Sequence, residues 1–317
     1  MHMPIVENKH QASRTVLAVG SIAFDSIKTP SGKVDKILGG SGNYFSLSAS
    51  YFTDVRLVGI VGEDFPKEHF KELEKRKIDL AGIETAKGQT FHWVGEYGKD
   101  LNEAKTLSTF LNVFEHFDPK LPESYKDTPY LFLANIMPEL QLSVYKQTRK
   151  PRFVACDTMN FWITGKNKEL METLKIVDML TINEGEAYML SEKDNVVEAA
   201  EAIRKLGPKV VVIKRGEYGA LLFSPNGVFS APALPLRTVK DPTGAGDTFA
   251  GGLMGYLAKQ GVDSDLGRHE AALREAVIHG CVMASFTVED FGFTNLMRVT
   301  PGMIEERYRS FVNMTRF

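Results

Sequence analysis

The sequence predicts an α/β protein: a doubly wound, mostly parallel sheet flanked by helices, with a small β lid. Two patterns carry that expectation. Short runs of strand-forming residues are almost continuously apolar, as they must be where helices cover both faces of a parallel sheet, and they alternate along the chain with segments of helical period. Composition agrees. Of 317 residues, 43% are apolar and 25% charged, enough apolar material for a sizeable core.

Residues 1–14 are polar and lack the continuous apolar stretch of a signal peptide, so a flexible N-terminal lead is expected there. TVLAVGSIAFD (15–25) and VRLVGIVG (55–62) read as strands, and the helical spacing of Phe45, Leu47, Ala49 and Phe52 between them completes a β–α–β unit. The rhythm continues through DFPKEHFKELEKRK (64–77, helix), YLFLAN (130–135, strand) and PELQLSVYKQTRK (138–150, helix). The strands FVACD (153–157), DMLTIN (178–183) and KVVVIKRG (209–216) follow. SGKVDKIL (31–38) and GQTFHWVGEYG (88–98) break the rhythm. Their looser alternation between glycines suits strands covered on one face only, so the lid is assigned to about 28–38 and 88–112.

Several function classes fall away on charge and cysteine count. With 38 Lys and Arg against 40 Asp and Glu, and formal net charge −2, no global field attracts nucleic acid or an anionic membrane. No run of about 18 apolar residues suggests a membrane span. Two cysteines, Cys156 and Cys281, form no CxxC pair, which suits a reducing compartment, and a cytoplasmic location is expected.

The segment VKDPTGAGDTFAGGLMGYLAKQ (239–260) is the most specific in the chain. Phe249, Leu253, Tyr256 and Leu257 recur at helical spacing, and the small Ala250, Gly251 and Gly252 permit close packing. Ahead of them a glycine-rich turn lets the N–H groups of Gly244, Ala245, Gly246 and Asp247 converge at the positive end of the helix, an arrangement that binds anions. A capped buried helix explains the glycines equally well. It does not explain Asp247, a carboxylate that would repel the anion unless it has a chemical task.

DPTGAGDTFAGG resembles the signature of the ribokinase-like sugar and nucleoside kinases, the PfkB family. GSIAFD (20–25), LGGSGN (38–43), VGIVGEDF (58–65), TINEGEA (181–187) and VVIKRGEYGALLF (211–223) are similar to further family segments, in the family's order, from residue 15 to about 292. The resemblance implies a ribokinase-like kinase domain over 15–317 that transfers the γ-phosphate of ATP, with Mg²⁺, to a hydroxyl of a small sugar or related polyol. A nucleoside or an inositol is the alternative acceptor, and a catalytically silent ligand-binding sensor is the alternative of another class. Asp247 would be the base, and the Gly244, Ala245 and Gly246 backbone the anion hole. Asp25, Gly39, Gly40, Ser41, Asn43 and Asn135 would bind the acceptor. Asn183, Lys214, Gly216, Thr243, Gly246 and His279 would bind ATP, and Glu186 would hold Mg²⁺ through water. Some relatives bind a monovalent cation such as K⁺ near the position of Asp241, and the protein is expected as a monomer or as a homodimer through the lid.

Departures from the family pattern leave the acceptor open. Ser41 follows Gly40 where ribokinases have Lys, and Tyr44 stands where they have Asn. CDTMNFW (156–162) is similar to an Asp-x-x-Asn stretch of hexose kinases but lacks the Arg that follows it there, which makes Asp157 and Asn160 candidates for phosphate or substrate contact. Tyr44, Phe91 and Trp93 are available to stack on a purine or simply to pack. VVIK and EDFG imitate two protein-kinase marks, but no GxGxxG loop precedes the first and no HRD loop lies between them. The chain also lacks a GxxxxGK(S/T) phosphate loop, an HExxH helix and the GxGxxG of a dinucleotide fold.

Overall fold

The computed structural model describes residues 14–316, so the expectation of a flexible lead lies, apart from Arg14, outside the described residues. The chain builds two sheets. Strands β1 (Val16–Val19), β4 (Val55–Gly62), β5 (Ile78–Ala86), β8 (Tyr130–Leu133), β9 (Phe153–Asp157), β10 (Met179–Asn183), β11 (Val210–Lys214), β12 (Ala220–Ser224) and β13 (Gly227–Ala231) form a nine-stranded sheet. Its order is β13-β12-β11-β10-β9-β8-β1-β4-β5, parallel from β11 to β5, with β12 and β13 added antiparallel at one edge. Strands β2 (Ala23–Thr29), β3 (Gly32–Gly39), β6 (Phe91–Tyr97) and β7 (Ala104–Phe110) form a second sheet of order β3-β2-β6-β7.

The residues of β1, β8, β9 and most of β4, β10 and β11 are buried, as their unbroken apolar composition requires. One run read as a single strand divides. TVLAVGSIAFD supplies β1 and the start of β2, which lie in different sheets. Between them Gly20 passes against the backbone of Gly42, 2.7 Å from where a Cβ would stand, so the chain crosses from one sheet to the other. Strand β5 has no counterpart in the sequence reading, because an edge strand alternates polar and small residues and carries little apolar signal.

Helices cover both faces: α1 (Ser41–Ala49), α2 (Lys67–Lys75), α3 (Pro138–Gln147), α4 (Asn160–Gly165), α5 (Asn167–Leu174), α6 (Glu184–Ser191), α7 (Val196–Arg204), α8 (Ala245–Gln260), α9 (Glu270–Thr287) and α10 (Pro301–Thr315). The centre of one layer is α8, whose residues from Thr248 to Ala258 are all buried. Its small residues allow close approach on two sides. A Cβ on Gly251 would stand 2.3 Å from the Phe45 carbonyl of α1, and one on Gly252 2.8 Å from Met283 of α9. The first turn of α8 is thereby fixed beside α1, which begins at the double glycine. Among the described residues no helix is long and apolar enough to cross a membrane.

Candidate active site

Parallel strands that end together present their last residues on one edge, and helices that follow them begin there. Asp157 ends β9, Asn183 ends β10 and Lys214 ends β11. The start of α8 brings Asp247 to the same edge, and β2 brings Asp25 from the second sheet.

The turn before α8 is held by a buried carboxylate. Asp241, fully buried, accepts from the N–H groups of Thr243 (2.9 Å) and Gly292 (3.2 Å). Gly244 then takes a left-handed conformation, φ 73°, with its Cα on the ring of Tyr44. A Cβ would lie 2.5 Å from that ring, so only glycine fits. No side chain caps α8. The Ala245 N–H turns back to the Pro242 carbonyl (3.1 Å). The N–H groups of Gly244 and Gly246 have no acceptor among the described residues. The anion hole read from the sequence thus loses Ala245 as a donor.

Asp247 is half-buried, and its pKa is pushed up to about 7 by burial and by Asp157 and Glu186, against the pull of Lys214. Asp25, 4% exposed, is pushed up to about 7 by burial and by Asp241 and Asp247, partly offset by the Gly40 N–H. The carboxylate of Asp25 rests on Gly39, where a Cβ would lie 1.8 Å from it. That contact explains the first glycine of the pair. Burial and neighbouring carboxylates thus hold both acids above the ordinary aspartate range.

The other sequence-predicted residues divide. Thr243 Oγ1 meets the Tyr97 hydroxyl of β6 at 3.2 Å, tying the second sheet to the anion turn. Gly216 is exposed, with Asn102 of the β6–β7 connection over it, and Asn102 donates to Glu217 at 2.7 Å. Lys214 pairs with Asp157 at 3.1 Å. Asn183 and Glu186 form a reciprocal capping box on α6: Asn183 Oδ1 accepts from the Glu186 N–H (2.8 Å), and Glu186 Oε2 accepts from the Asn183 N–H (3.0 Å). The Asn160 N–H also acts on the Glu186 carboxylate. Burial pushes this acid up to about 7.

Three residues expected to bind the acceptor have partners within the protein. Ser41 is spent on Ser21 (Oγ to Oγ 3.1 Å) and on the Asn135 carbonyl (3.3 Å), while Asn43, fully buried, donates to the Gly39 carbonyl (2.7 Å). Both brace the double-glycine turn. The Asn135 side chain is engaged by Trp162 Nε1 (2.8 Å) and by the Met159 sulfur. His279 lies away from the anion turn. It stacks between Tyr256 (4.2 Å) and Tyr308 (4.8 Å), edge-on to Phe52. That places it at the far half of α8, about nine residues or roughly 14 Å along the axis from Asp247.

The aromatic residues offered for purine stacking are packed instead. Tyr44 is 1% exposed and edge-on to Phe293, Phe91 stacks on Phe114, and Trp93 covers Gly95 and donates to Thr106. Sequence reasoning missed the support that Tyr44 gives the anion turn. Its departure from the ribokinase pattern was the available signal.

Residues 13–299 match the pfkB family of carbohydrate kinases. The chain belongs to the PfkB family. Among curated relatives, the cytidine kinase of Thermococcus kodakarensis is 32% identical over 253 residues, 76% of this chain and 88% of the relative. The nucleoside kinase of Methanothermobacter thermautotrophicus is 28% identical over 298 residues, covering 88% and 91%. Among solved structures, the nucleoside kinase of Methanocaldococcus jannaschii, described as an archaeal member of the ribokinase family, superposes with TM-score 0.71 at 20% identity over 94% of this chain and 98% of that one. The ribokinase of Thermotoga maritima gives 0.69 at 22% identity, covering 94% and 99%. This PfkB protein therefore has the ribokinase-like fold expected from its motifs, and it is a phosphotransferase with a hydroxyl group as acceptor. Family membership implies ATP as donor.

Proposed function

We propose that this PfkB kinase phosphorylates a hydroxyl of a nucleoside, with Asp247 as base and Asp25 as the ligand of the acceptor's hydroxyls. The observation that carries the reading is that Asp247 stands in the first turn of an uncapped helix, beside N–H groups of Gly244 and Gly246 that have no acceptor among the described residues. The likeness to a cytidine kinase over most of both chains supports a nucleoside acceptor ahead of the sugar or polyol that the motifs alone put first.

The acceptor oxygen attacks the γ-phosphorus as its proton passes to Asp247. An alcohol is a far weaker acid than a carboxylic acid, so the proton follows bond formation rather than preceding it. The Gly244 and Gly246 N–H groups meet the charge that spreads over the phosphoryl oxygens, a contribution of up to about 3–4 kcal/mol per donor in comparable anion holes.

No group of three or more metal-binding side chains occurs among the described residues, so a divalent ion would be held largely by the triphosphate and water, which suits Mg²⁺. Glu186 would be the protein's contribution to that shell, and the ion would supply charge neutralisation to the phosphates. A monovalent cation beside Asp241 belongs to the same reading and is tested by turnover with K⁺ against tetramethylammonium. The exposed Leu107, Phe110 and Leu111, on and just after the outer strand β7, give the second sheet a face for a second copy in a homodimer.

The decisive experiment is ADP release, with product mass, over a panel of nucleosides, sugars and cyclitols. Turnover confined to sugars or cyclitols would refute the nucleoside acceptor. Binding without turnover would leave the sensor.

A further inference from the structure

A cation beside the anion turn is largely buried. Lys214 Nζ lies 3.3 and 3.1 Å from the two carboxylate oxygens of Asp157, and the side chains are only 17% and 5% exposed. The same nitrogen stands 3.0 Å from the position of a Cβ on Gly246, the residue whose N–H is unspent. Lys214 thus spans the gap between the end of β9 and the first turn of α8. Glu186 and Asp247 also act on it.

One ammonium among three carboxylates is more acid than the pair with Asp157 needs, and a triphosphate entering here would add further negative charge. Elsewhere in the fold, buried charge is avoided or tied to backbone, as at Asp241. The stretch after Asp157 provides no replacement cation: Phe161 is 61% exposed and Trp162 is committed to Asn135. An ammonium has three donors on a flexible stem, so it can keep one carboxylate contact while turning another N–H to a phosphate oxygen.

We propose that Lys214 is the cation that neutralises the migrating phosphoryl group, held in place by Asp157 until the nucleoside triphosphate binds. This rests on the kinase reading above. In the step, the acceptor oxygen forms a bond to the γ-phosphorus, and the bond from that phosphorus to the β,γ-bridging oxygen breaks. The electron pair of that bond leaves on the β-phosphate of the diphosphate product, and the acceptor's proton goes to Asp247. Lys214 keeps its own proton throughout. Burial pulls its pKa down, but Asp157, Glu186 and Asp247 outweigh burial and hold it above the ordinary lysine value. Asp157 is a positioning residue and touches no reacting atom.

The test compares a diphosphate with a triphosphate that cannot react. ADP and the β,γ-imido analogue of ATP are titrated calorimetrically, with Mg²⁺, into the wild type, Lys214→Met, Lys214→Arg and Asp157→Asn. Lys214→Met is expected to bind ADP within about 2-fold of wild type, but to lose about 10- to 100-fold on the imido analogue, as for one charge-assisted hydrogen bond. Its kcat should fall by at least as much, with partial recovery in Lys214→Arg. Asp157→Asn should keep the preference for the triphosphate. Because Lys214→Met strands a buried carboxylate, the double variant Lys214→Met with Asp157→Asn repeats the titration on a neutral pair and should show the same loss.

Equal losses on ADP and the imido analogue would overturn the proposal, as would an unchanged kcat in Lys214→Met. Loss of the triphosphate preference in Asp157→Asn would overturn the claim that Lys214 makes the phosphate contact without its partner once the nucleotide is bound. A wild type that binds neither nucleotide would defeat the kinase reading itself, a separate outcome.

Discussion

Helices α6 and α8 both begin at the carboxyl edge of the large sheet and face the same carboxylates, yet their N-termini are finished in opposite ways. At α6 the chain satisfies itself, since Asn183 and Glu186 close a capping box from side chain to backbone in both directions. At α8 the cap is Gly244, which has no side chain to offer, and the first-turn donors of Gly244 and Gly246 stay unspent. A helix start carries the same partial charge in either case. What distinguishes a structural end from a functional one is whether the protein has already met that charge.

The largest break in this comparison is expected at Asp247. Asp247→Asn should retain nucleotide binding and lose at least about a hundredfold in turnover, given the usual range of general-base contributions. Wild-type kcat/KM should fall as pH drops through about 7, because the base must be ionised and its pKa is raised to about 7. That acid limb should be weaker in any residual activity of the variant, where Asp25 alone of the two acids remains to titrate. A near-normal rate would remove Asp247 from the role.

Next comes the open cap itself. Gly244→Ala places a Cβ against the Tyr44 ring in a left-handed backbone, so the turn must shift. Turnover is expected to fall by about tenfold or more, beyond any change in melting temperature, as when one anion-hole donor is displaced. Unaltered kinetics would mean that the turn's geometry does not matter to the reaction.

The smallest effect belongs to the closed cap. Asn183→Ala should cost about 1 kcal/mol in denaturant unfolding, the usual value of an N-cap, and leave the Mg²⁺ titration nearly unmoved. Glu186→Gln retains an oxygen for the cap and should instead raise the Mg²⁺ requirement. If the two variants behave alike, Glu186 is a cap and nothing more.

Much of the fold was legible because central parallel strands are apolar without interruption, and β4 and β9 begin and end where the sequence reading put them. Edge strands such as β5 were not, since a strand half in water carries a mixed pattern that a loop can also show. In the site, backbone-defined parts were readable. A glycine at 244 or 39 declares a conformation or a close approach, whatever surrounds it. Side chains of ambiguous use were not. Ser41 and Asn43 serve either a turn or a ligand, and only their partners in space decide. The Asp157–Lys214 pair joins two strand ends that are distant in sequence, and neither residue names the other. An apolar helix containing one histidine likewise says nothing about which end of its neighbour that histidine will meet, and His279 meets the far half of α8.

Thr29 donates to the carbonyl of Lys240 across 211 residues of chain, and Tyr97 reaches Thr243 across 146. Asp25 belongs to the early part of the polypeptide and Asp247 to the late part. During synthesis the acceptor side would emerge and wait, without partner, until the final third had been translated. A clipped or half-made molecule should therefore be silent rather than sluggish, and competence should arrive in a single event when the late segment docks.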